Sequence, residues 1–194
     1  MTAGEIWFVT HAEVVQDPAV PVPRWPLSDT GRRRHRAFNP VLAAAGVTSI
    51  WASDEQKAQD AAAIHAEALQ LPIRTDAALG ENDRSATGYL PPAEFETTAD
   101  AFFAHPDTSI RGWERAADAQ HRIVAAVRDI AQGAPPGTAL VVAHGGVGAL
   151  LMAHGRGVPI SRALDQTGGG GGNLFRLSRS DLSALTDWRP IDAP

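Results

Sequence analysis

The stretch Glu5-Ile6-Trp7-Phe8-Val9-Thr10-His11-Ala12-Glu13 decides the fold. It starts as a run of apolar, β-forming residues, and a histidine follows as soon as that run ends. In an open α/β sheet the strand fixes the backbone, and the side chain just past its carboxyl end faces a crevice. The stretch therefore predicts a buried strand over residues 5–10 that presents His11 to a crevice.

The same arrangement occurs once more, far along the chain. Residues 139–143, Ala-Leu-Val-Val-Ala, form another short apolar run, and His144-Gly145-Gly146 follows directly. If the two strands are parallel neighbours, their carboxyl ends meet at one edge of the sheet. We therefore expect His11 and His144 to lie side by side at the mouth of one pocket.

Bulk composition limits the class of protein. The chain has 194 residues, 44% of them apolar, which suits one globular domain. It contains no cysteine, so disulfides, thiolate nucleophiles and cysteine-zinc sites are excluded, and a reduced cytoplasmic setting is expected. The net charge of −5 argues against binding to nucleic acid or a membrane surface. No apolar stretch has the length of a membrane span, and residues 1–5 lack the features of a signal peptide.

Helical and extended patterns alternate along most of the chain, which is typical of an α/β protein with a mixed, mostly parallel sheet. We expect one domain over residues 1–194, with residues 76–113 as an excursion over the active-site edge. Ser53 to Gln56 have the form of a capping box. The predicted helices cover about 28–45 with a break or kink at Pro40, 53–70, 92–104, 113–131 and 146–154. The predicted strands cover 5–10, 48–52, 72–75, 139–143, 173–177 and 184–188.

Several short segments stand in a fixed order after His11. They are Pro26-Leu27-Ser28-Asp29-Thr30-Gly31, Trp51-Ala52-Ser53-Asp54-Glu55-Gln56-Lys57-Ala58-Gln59, Leu79-Gly80-Glu81 and Val142-Ala143-His144-Gly145-Gly146. In this order and spacing the sequence resembles the histidine phosphatase superfamily over residues 5–160. The resemblance implies a three-layer α/β/α fold of the phosphoglycerate mutase type. It also implies a phosphatase or mutase that needs neither a metal nor an organic cofactor.

The resemblance assigns roles to three residues. His11 is expected to attack phosphorus and to become phosphohistidine, because a neutral imidazole is a competent nucleophile near pH 7. His144 is expected to hydrogen-bond the transferring phosphoryl oxygens. Glu81 is expected to protonate the leaving oxygen. The helix that starts at Gly146 is expected to add backbone N–H donors around the phosphate, and the neighbouring Gly145 is expected to be part of the substrate site.

Three positions depart from the pattern that the resemblance implies. Thr10 stands where the family has an arginine before the nucleophile, Lys57 replaces a second phosphate-binding arginine, and Ala12 replaces a glycine. Lysine keeps the charge but loses the planar two-pronged contact of arginine. Arg84, three residues after Glu81, and Arg24, in a proline-rich loop, are candidates to fill the deficit.

The leading hypothesis is a phosphohydrolase acting on a small phosphate ester, with no nucleic acid, membrane or metal involved. Two alternatives remain open. One is a family relative that binds an anionic small molecule without phosphatase activity, and the other uses the histidine pair for acid–base chemistry on a non-phosphate substrate. Arg32–Arg36 is interpreted as a solvated helix face. Gly168–Gly172 is interpreted as a flexible or closely packed loop. His35 and His65 are assigned no role.

Overall fold

A computed structural model describes residues 4–166 and 168–193. Its centre is a six-stranded sheet in the order β3-β2-β4-β1-β5-β6. The first four strands along the chain pair in parallel, whereas β5 and β6 run antiparallel to their neighbours. The strands are β1 Glu5–Thr10, β2 Val47–Ala52, β3 Ile73–Thr75, β4 Thr138–Ala143, β5 Asn173–Ser178 and β6 Arg189–Pro190.

Helices cover both faces of the sheet. They are α1 Asp29–Ala44, α2 Gln56–Leu69, α3 Pro92–Ala104, α4 Ala116–Gly133 and α5 Gly145–Arg156. Alternate residues of the central strands enter opposite apolar clusters, as the pleat of a strand requires. Phe8 and Val141 pack with α4 and α5, and Val9 and Val142 pack with α1 and α2. The predicted three-layer α/β/α fold is confirmed. No helix in the described part of the chain is long and apolar enough to cross a membrane.

The register of β1 and β4 places the two histidines. Thr10 lies opposite Ala143, and the His11 N–H donates to the Ala143 carbonyl at 3.1 Å. Both strands therefore end at the same level. His11 and His144 leave the sheet from adjacent strands at its carboxyl edge, where open α/β sheets bind their ligands.

Three boundaries differ from the sequence prediction. Pro40 does not break α1, because buried Phe38 and Leu42 hold the helix on the sheet on both sides of it. The last helix before β4 begins at Ala116, after a turn in which Gly112 has a φ of 83°. The final strand lies at 189–190, and residues 184–188 contribute only a single bridge, from Ala184 to Leu177.

Candidate active site

The His11 and His144 rings face one another with their centroids 5.3 Å apart and their planes at 63°. The Nδ1 atom of His11 lies 2.9 Å from the Ala12 carbonyl oxygen. A carbonyl only accepts hydrogen bonds, so Nδ1 carries the proton in the neutral ring. The lone pair is then on Nε2, and no described residue forms a hydrogen bond to that atom.

Both rings are neutral at neutral pH. Burial, assisted by the charge of Lys57, lowers the pKa of His11 to about 4. Burial likewise lowers the pKa of His144 to about 3, although the neighbouring Glu55 carboxylate opposes that shift. Desolvation penalises the charged imidazolium, which explains both directions. A neutral His11 with a free Nε2 is in the state that a nucleophile or a general base requires.

His144 is completely buried and held at one side of its ring. Its Nε2 shares a hydrogen bond of 2.8 Å with Ser53 Oγ and lies 3.4 Å from Glu55 Oε1. Ser53 is therefore not the helix cap that the sequence predicted: α2 begins at Gln56, and Ser53 supports the histidine instead. His144 Nδ1 is a buried atom with no hydrogen-bond partner in the described part of the chain.

Glu55 connects three of the expected site residues. One carboxylate oxygen accepts from the Glu81 N–H at 2.9 Å and contacts His144, while the other bonds to the Lys57 ammonium. Burial alone would raise the pKa of Glu55, but its contacts with His144, the Lys57 ammonium group and the Glu81 N–H more than offset this and lower it to about 2. Sequence analysis missed this residue. Its position beside a helix start suggested only a dipole effect, and the single sequence signal was a carboxylate two residues before Lys57.

Lys57 lies beside the crevice but is already paired. Its side chain is almost completely buried, and its ammonium group donates to Glu55 and, at 3.0 Å, to the Val22 carbonyl. The lysine charge is close enough to His11 to lower its pKa. However, Glu55 offsets that charge, so Lys57 is less available to an anion than an unpaired arginine would be.

Glu81 occupies the amino terminus of α5. Its carboxylate accepts from the N–H groups of Gly146 at 3.0 Å and Val147 at 2.9 Å. A carboxylate suits this position because it meets free helix N–H groups and the positive end of the helix dipole. The expectation that these N–H groups surround a phosphate is therefore wrong for this state, because Glu81 uses two of them. A Cβ at position 146 would lie 2.6 Å from Glu81 Oε1, so a larger residue there would displace this carboxylate from the helix terminus.

Thr10 is held by contacts within the protein. Its hydroxyl donates to Gln166 Oε1 at 2.8 Å and accepts from the Asn173 N–H at 3.0 Å. The side chain is fully buried, and its hydroxyl group is already hydrogen-bonded within the protein. Gln166 in turn packs against Gly145, the first residue of α5, and both line the cavity beside His11.

The two candidate arginines lie in different places. Arg84 lines the cavity that contains His11, and its charge contributes to the lowered pKa of that residue. Its guanidinium group stacks 5.2 Å from the Phe95 ring and 5.6 Å from the Trp113 ring. No carboxylate in the described part of the chain pairs with it. Arg24 is exposed and lines a surface groove that does not include His11. This groove shares Val20, Pro23, Asp54 and Glu55 with the cavity against residues 18–23.

The crevice consists of two adjoining cavities. The first, called here the His11 cavity, has a volume of about 500 Å³ and lies between His11, the aromatic side of α3 and the glycine loop. The second, called here the proline-loop cavity, has a volume of about 720 Å³ and lies against residues 18–23. Glu81, Asn82 and Arg84 line both cavities and form the border between them. All three belong to the 76–113 excursion. In the described residues no cluster of side chains is arranged to hold a metal ion.

The family model of the histidine phosphatase superfamily, branch 1, matches residues 6–172. The chain belongs to this superfamily. A mycobacterial glucosyl-3-phosphoglycerate phosphatase solved with inorganic phosphate superposes with a TM-score of 0.79 at 22% identity, over 99% of this chain and 100% of that one. YhfR from Bacillus stearothermophilus superposes with a TM-score of 0.78 at 21% identity, over 95% of each chain. At these levels of sequence identity, the structural similarity establishes a shared fold. No curated protein matches the sequence.

In this histidine phosphatase chain a glycine loop closes one wall of the His11 cavity. Gly171 has a φ of 71°, and an added Cβ would collide with the His11 carbonyl oxygen. The Gly172 N–H donates to that same oxygen at 2.8 Å. Arg34 then holds the loop from outside by donating to the carbonyls of Gly171 and Gly172. Of the two sequence interpretations, close packing describes Gly171 and Gly172.

Two buried histidines, His35 and His65, form a hydrogen-bonded chain that begins at the backbone next to His11. The Ala12 N–H donates to His35 Nε2 at 3.1 Å, so the neutral His35 ring carries its proton on Nδ1. That proton is donated to His65 Nε2 at 3.0 Å, and His65 Nδ1 donates to Asn39 Oδ1 at 2.7 Å. Every polar atom of the two rings is thus satisfied. The sequence showed two unassigned helical histidines and gave no sign that they meet.

Proposed function

We propose that the chain hydrolyses a small phosphate monoester, with His11 as the phosphoryl acceptor. One observation carries the proposal. The Ala12 carbonyl accepts the His11 Nδ1 proton at 2.9 Å, so the lone pair is on Nε2, at the opposite side of the ring. The second histidine lies beside this ring. Membership in the superfamily supports a phosphatase or mutase in general.

The chemistry divides into two displacements. In the first, His11 Nε2 forms a bond to phosphorus as the bond to the leaving oxygen breaks, and Glu81 supplies the proton that the leaving alkoxide needs. In the second, water attacks phosphorus and gives one proton to the Glu81 carboxylate. The bond from phosphorus to His11 Nε2 breaks at the same time, which releases inorganic phosphate. To act as the acid, Glu81 must carry a proton. Its Oε2 accepts one hydrogen bond, from the Gly146 N–H, and keeps a lone pair for that proton.

The site has few groups that can neutralise the negative charge of a phosphoryl group. Phosphoryl transfer depends on donors and cations around the equatorial oxygens. Here Arg84 is the cation in the His11 cavity that lacks a carboxylate partner, whereas Lys57 is paired with Glu55 and Thr10 with Gln166. His144 can donate from Nδ1 when Ser53 donates to its Nε2. We therefore expect low turnover on generic aryl phosphates and weak binding of inorganic phosphate.

A second candidate function follows from that same deficit. The Glu55–Lys57 pair and the capped Glu81 leave the site with few unpaired cations. This favours a relative that binds a different anion, or that uses the neutral histidine pair as acid and base on a non-phosphate substrate. Cytoplasmic location and a small-molecule partner, rather than nucleic acid or a membrane, are part of either proposal.

Steady-state assays on a panel of phosphate monoesters separate the two candidates. We expect slow turnover in the native protein and none in His11→Ala, with the exposed histidine variant His121→Ala as a matched control. Glu81→Gln should slow esters with poor leaving groups more than activated aryl phosphates, because only the former need a strong acid. Activity that persists in His11→Ala would reject the phosphatase proposal.

A further inference from the structure

The position of the leaving group follows from the two cavities, given the proposed phosphohydrolase function. In an in-line displacement the attacking and leaving atoms lie on opposite sides of phosphorus. His11 lines only the His11 cavity, whereas Glu81, the proposed acid, lies on the border with the proline-loop cavity. A phosphoryl group held between them directs its leaving oxygen away from His11. The rest of the leaving group then enters the proline-loop cavity.

The wall of the proline-loop cavity is apolar and stiff. Residues 18–23 read Pro-Ala-Val-Pro-Val-Pro and line one side of it. Tyr89 also lines the cavity, and its ring packs against Trp25 at a centroid distance of 5.7 Å. Proline fixes its own backbone angle, so this wall is formed before a ligand arrives. Its volume of about 720 Å³ accommodates an organic group of drug-like size.

The charges around the same cavity are mostly negative. Asp54 and Asp83 line it, and neither forms an ion pair with any described residue. Hydrogen bonds from Ser85 lower the pKa of Asp83, so this carboxylate is ionised at neutral pH. Arg84 is the cation that lines the cavity, and its position on the border places it beside the phosphoryl group rather than the leaving group.

A buried amide at the border points independently to a ligand. Asn82 is only 6% exposed and lines both cavities, yet its Nδ2 has no hydrogen-bond partner in the described part of the chain. A buried donor without an acceptor is unfavourable and marks a place where a partner is expected. Asn82 is adjacent to Glu81, at the level of the leaving oxygen. An ester or hydroxyl oxygen of the substrate supplies the acceptor that this amide lacks.

We infer that the substrate is the phosphate monoester of an apolar alcohol that is neutral or carries a cation, held in the proline-loop cavity against Asp54 and Asp83. Phosphate esters whose alcohol carries a carboxylate are poor substrates, because that carboxylate would lie beside two unpaired carboxylates. The two aspartates thereby select the substrate by charge, and Asn82 orients its oxygen.

Three matched esters test the inference: phenyl phosphate, 4-(aminomethyl)phenyl phosphate and 4-carboxyphenyl phosphate. At low salt we expect kcat/KM to be about tenfold higher for the cationic than for the anionic ester. The two aspartate carboxylates attract the first and repel the second, and solvent partly screens both effects. The double variant Asp54→Asn with Asp83→Asn should reduce that preference to near unity. Comparing each variant with the native protein removes differences in the intrinsic reactivity of the three esters.

A control pair removes the same charge elsewhere. Asp129→Asn with Glu67→Gln changes two exposed carboxylates that line neither cavity, and it should keep the native preference. Equal kcat/KM values for the three esters, or a preference for the carboxylated one, would overturn the inference while leaving the phosphatase proposal intact. An absence of His11-dependent turnover on all three would overturn the phosphatase proposal, and the inference with it.

Discussion

The ammonium group of Lys57 is bound by the carboxylate of Glu55, and both side chains are largely buried. The pair lies beside His144 and beneath the proposed phosphoryl site. Glu55 thus removes much of the positive potential that Lys57 would offer to a dianion. This ion pair is the structural basis of the expected weak binding of phosphate.

Glu55→Gln should therefore bind vanadate more tightly, by about tenfold, because a negative charge near the site is lost and Lys57 is released. Isothermal titration with vanadate measures this. The change should also lower the free energy of unfolding by about 3–5 kcal/mol, since one partner of a buried pair is left behind. Asp60→Asn, which removes the partner of Arg32 outside the cavities, is the matched control. A folded Glu55→Gln protein with unchanged or weaker vanadate affinity would contradict this account.

The two candidate arginines should behave differently. Arg84→Ala is expected to lower kcat/KM by about tenfold to a hundredfold, because it removes the unpaired cation that lines the His11 cavity. Arg24→Ala should leave kcat/KM for a small aryl phosphate near the native value, because Arg24 is exposed and lines a groove that does not include His11. Parallel assays on one aryl phosphate decide the matter. Equal losses in the two variants would show that the assignment of Arg84 is wrong.

Acid should destabilise the protein through its buried histidines. Burial lowers the pKa of His65 to about 3 and that of His35 well below its usual 6.5. The unfolded chain therefore binds more protons below pH 6.5, so this stabilisation is present above pH 6.5 and is lost as the pH falls toward 3. At pH 5 the loss is on the order of 2 kcal/mol for a group with these values. Urea unfolding at pH 7 and pH 5 measures it.

His65→Gln provides a non-titrating test of that hydrogen-bonded chain. Its Oε1 can accept from His35 Nδ1 and its Nε2 can donate to Asn39 Oδ1, which preserves both hydrogen bonds. The variant should lose less stability than the native protein between pH 7 and pH 5. His121→Gln, on the exposed face of α4, should keep the native pH dependence. The same pH dependence in His65→Gln as in the native protein would exclude His65 as a source of the acid lability.

Alanine substitutions at two glycines of the same loop should differ in their effect on stability. In Gly171→Ala the alanine would have to adopt a positive φ, and its Cβ would collide with the His11 carbonyl oxygen. We therefore expect the free energy of unfolding to fall by about 1–3 kcal/mol and turnover to decrease. Gly169→Ala meets open space and should be tolerated. Thermal melts and assays on both variants give the comparison. A tolerated Gly171→Ala would mean that the loop does not press on His11.

The fold and the meeting of the two histidines follow from local patterns. Apolar runs at 5–10 and 139–143 predict neighbouring buried strands, and each ends at a histidine. The roles of Glu55 and Glu81 as partners of distant groups do not follow from such patterns. Glu81 meets α5 across 65 residues of chain, and Ser53 forms its decisive contact with His144 instead of capping α2. Contacts of this kind depend on the packed tertiary structure, which overrides local helix signals.

The last strand is a second case in which tertiary packing overrides the local sequence pattern. Residues 184–188 carry a strand-like pattern, but Trp188 packs its ring on Phe8 and Phe175 and donates to the Leu164 carbonyl. Burial of that large ring takes precedence over a continuous ladder, and pairing resumes only at 189–190.

Trapping the covalent intermediate tests the central claim most directly. Native protein mixed with excess aryl phosphate and quenched in alkali should gain the mass of one phosphoryl group, and peptide mapping should place it on His11. The label should be stable in base, be lost in acid, as a phosphoramidate bond requires, and be missing in His11→Ala. Turnover of the ester by native protein with the phosphoryl group on another residue, or with no dependence on His11, would contradict the account.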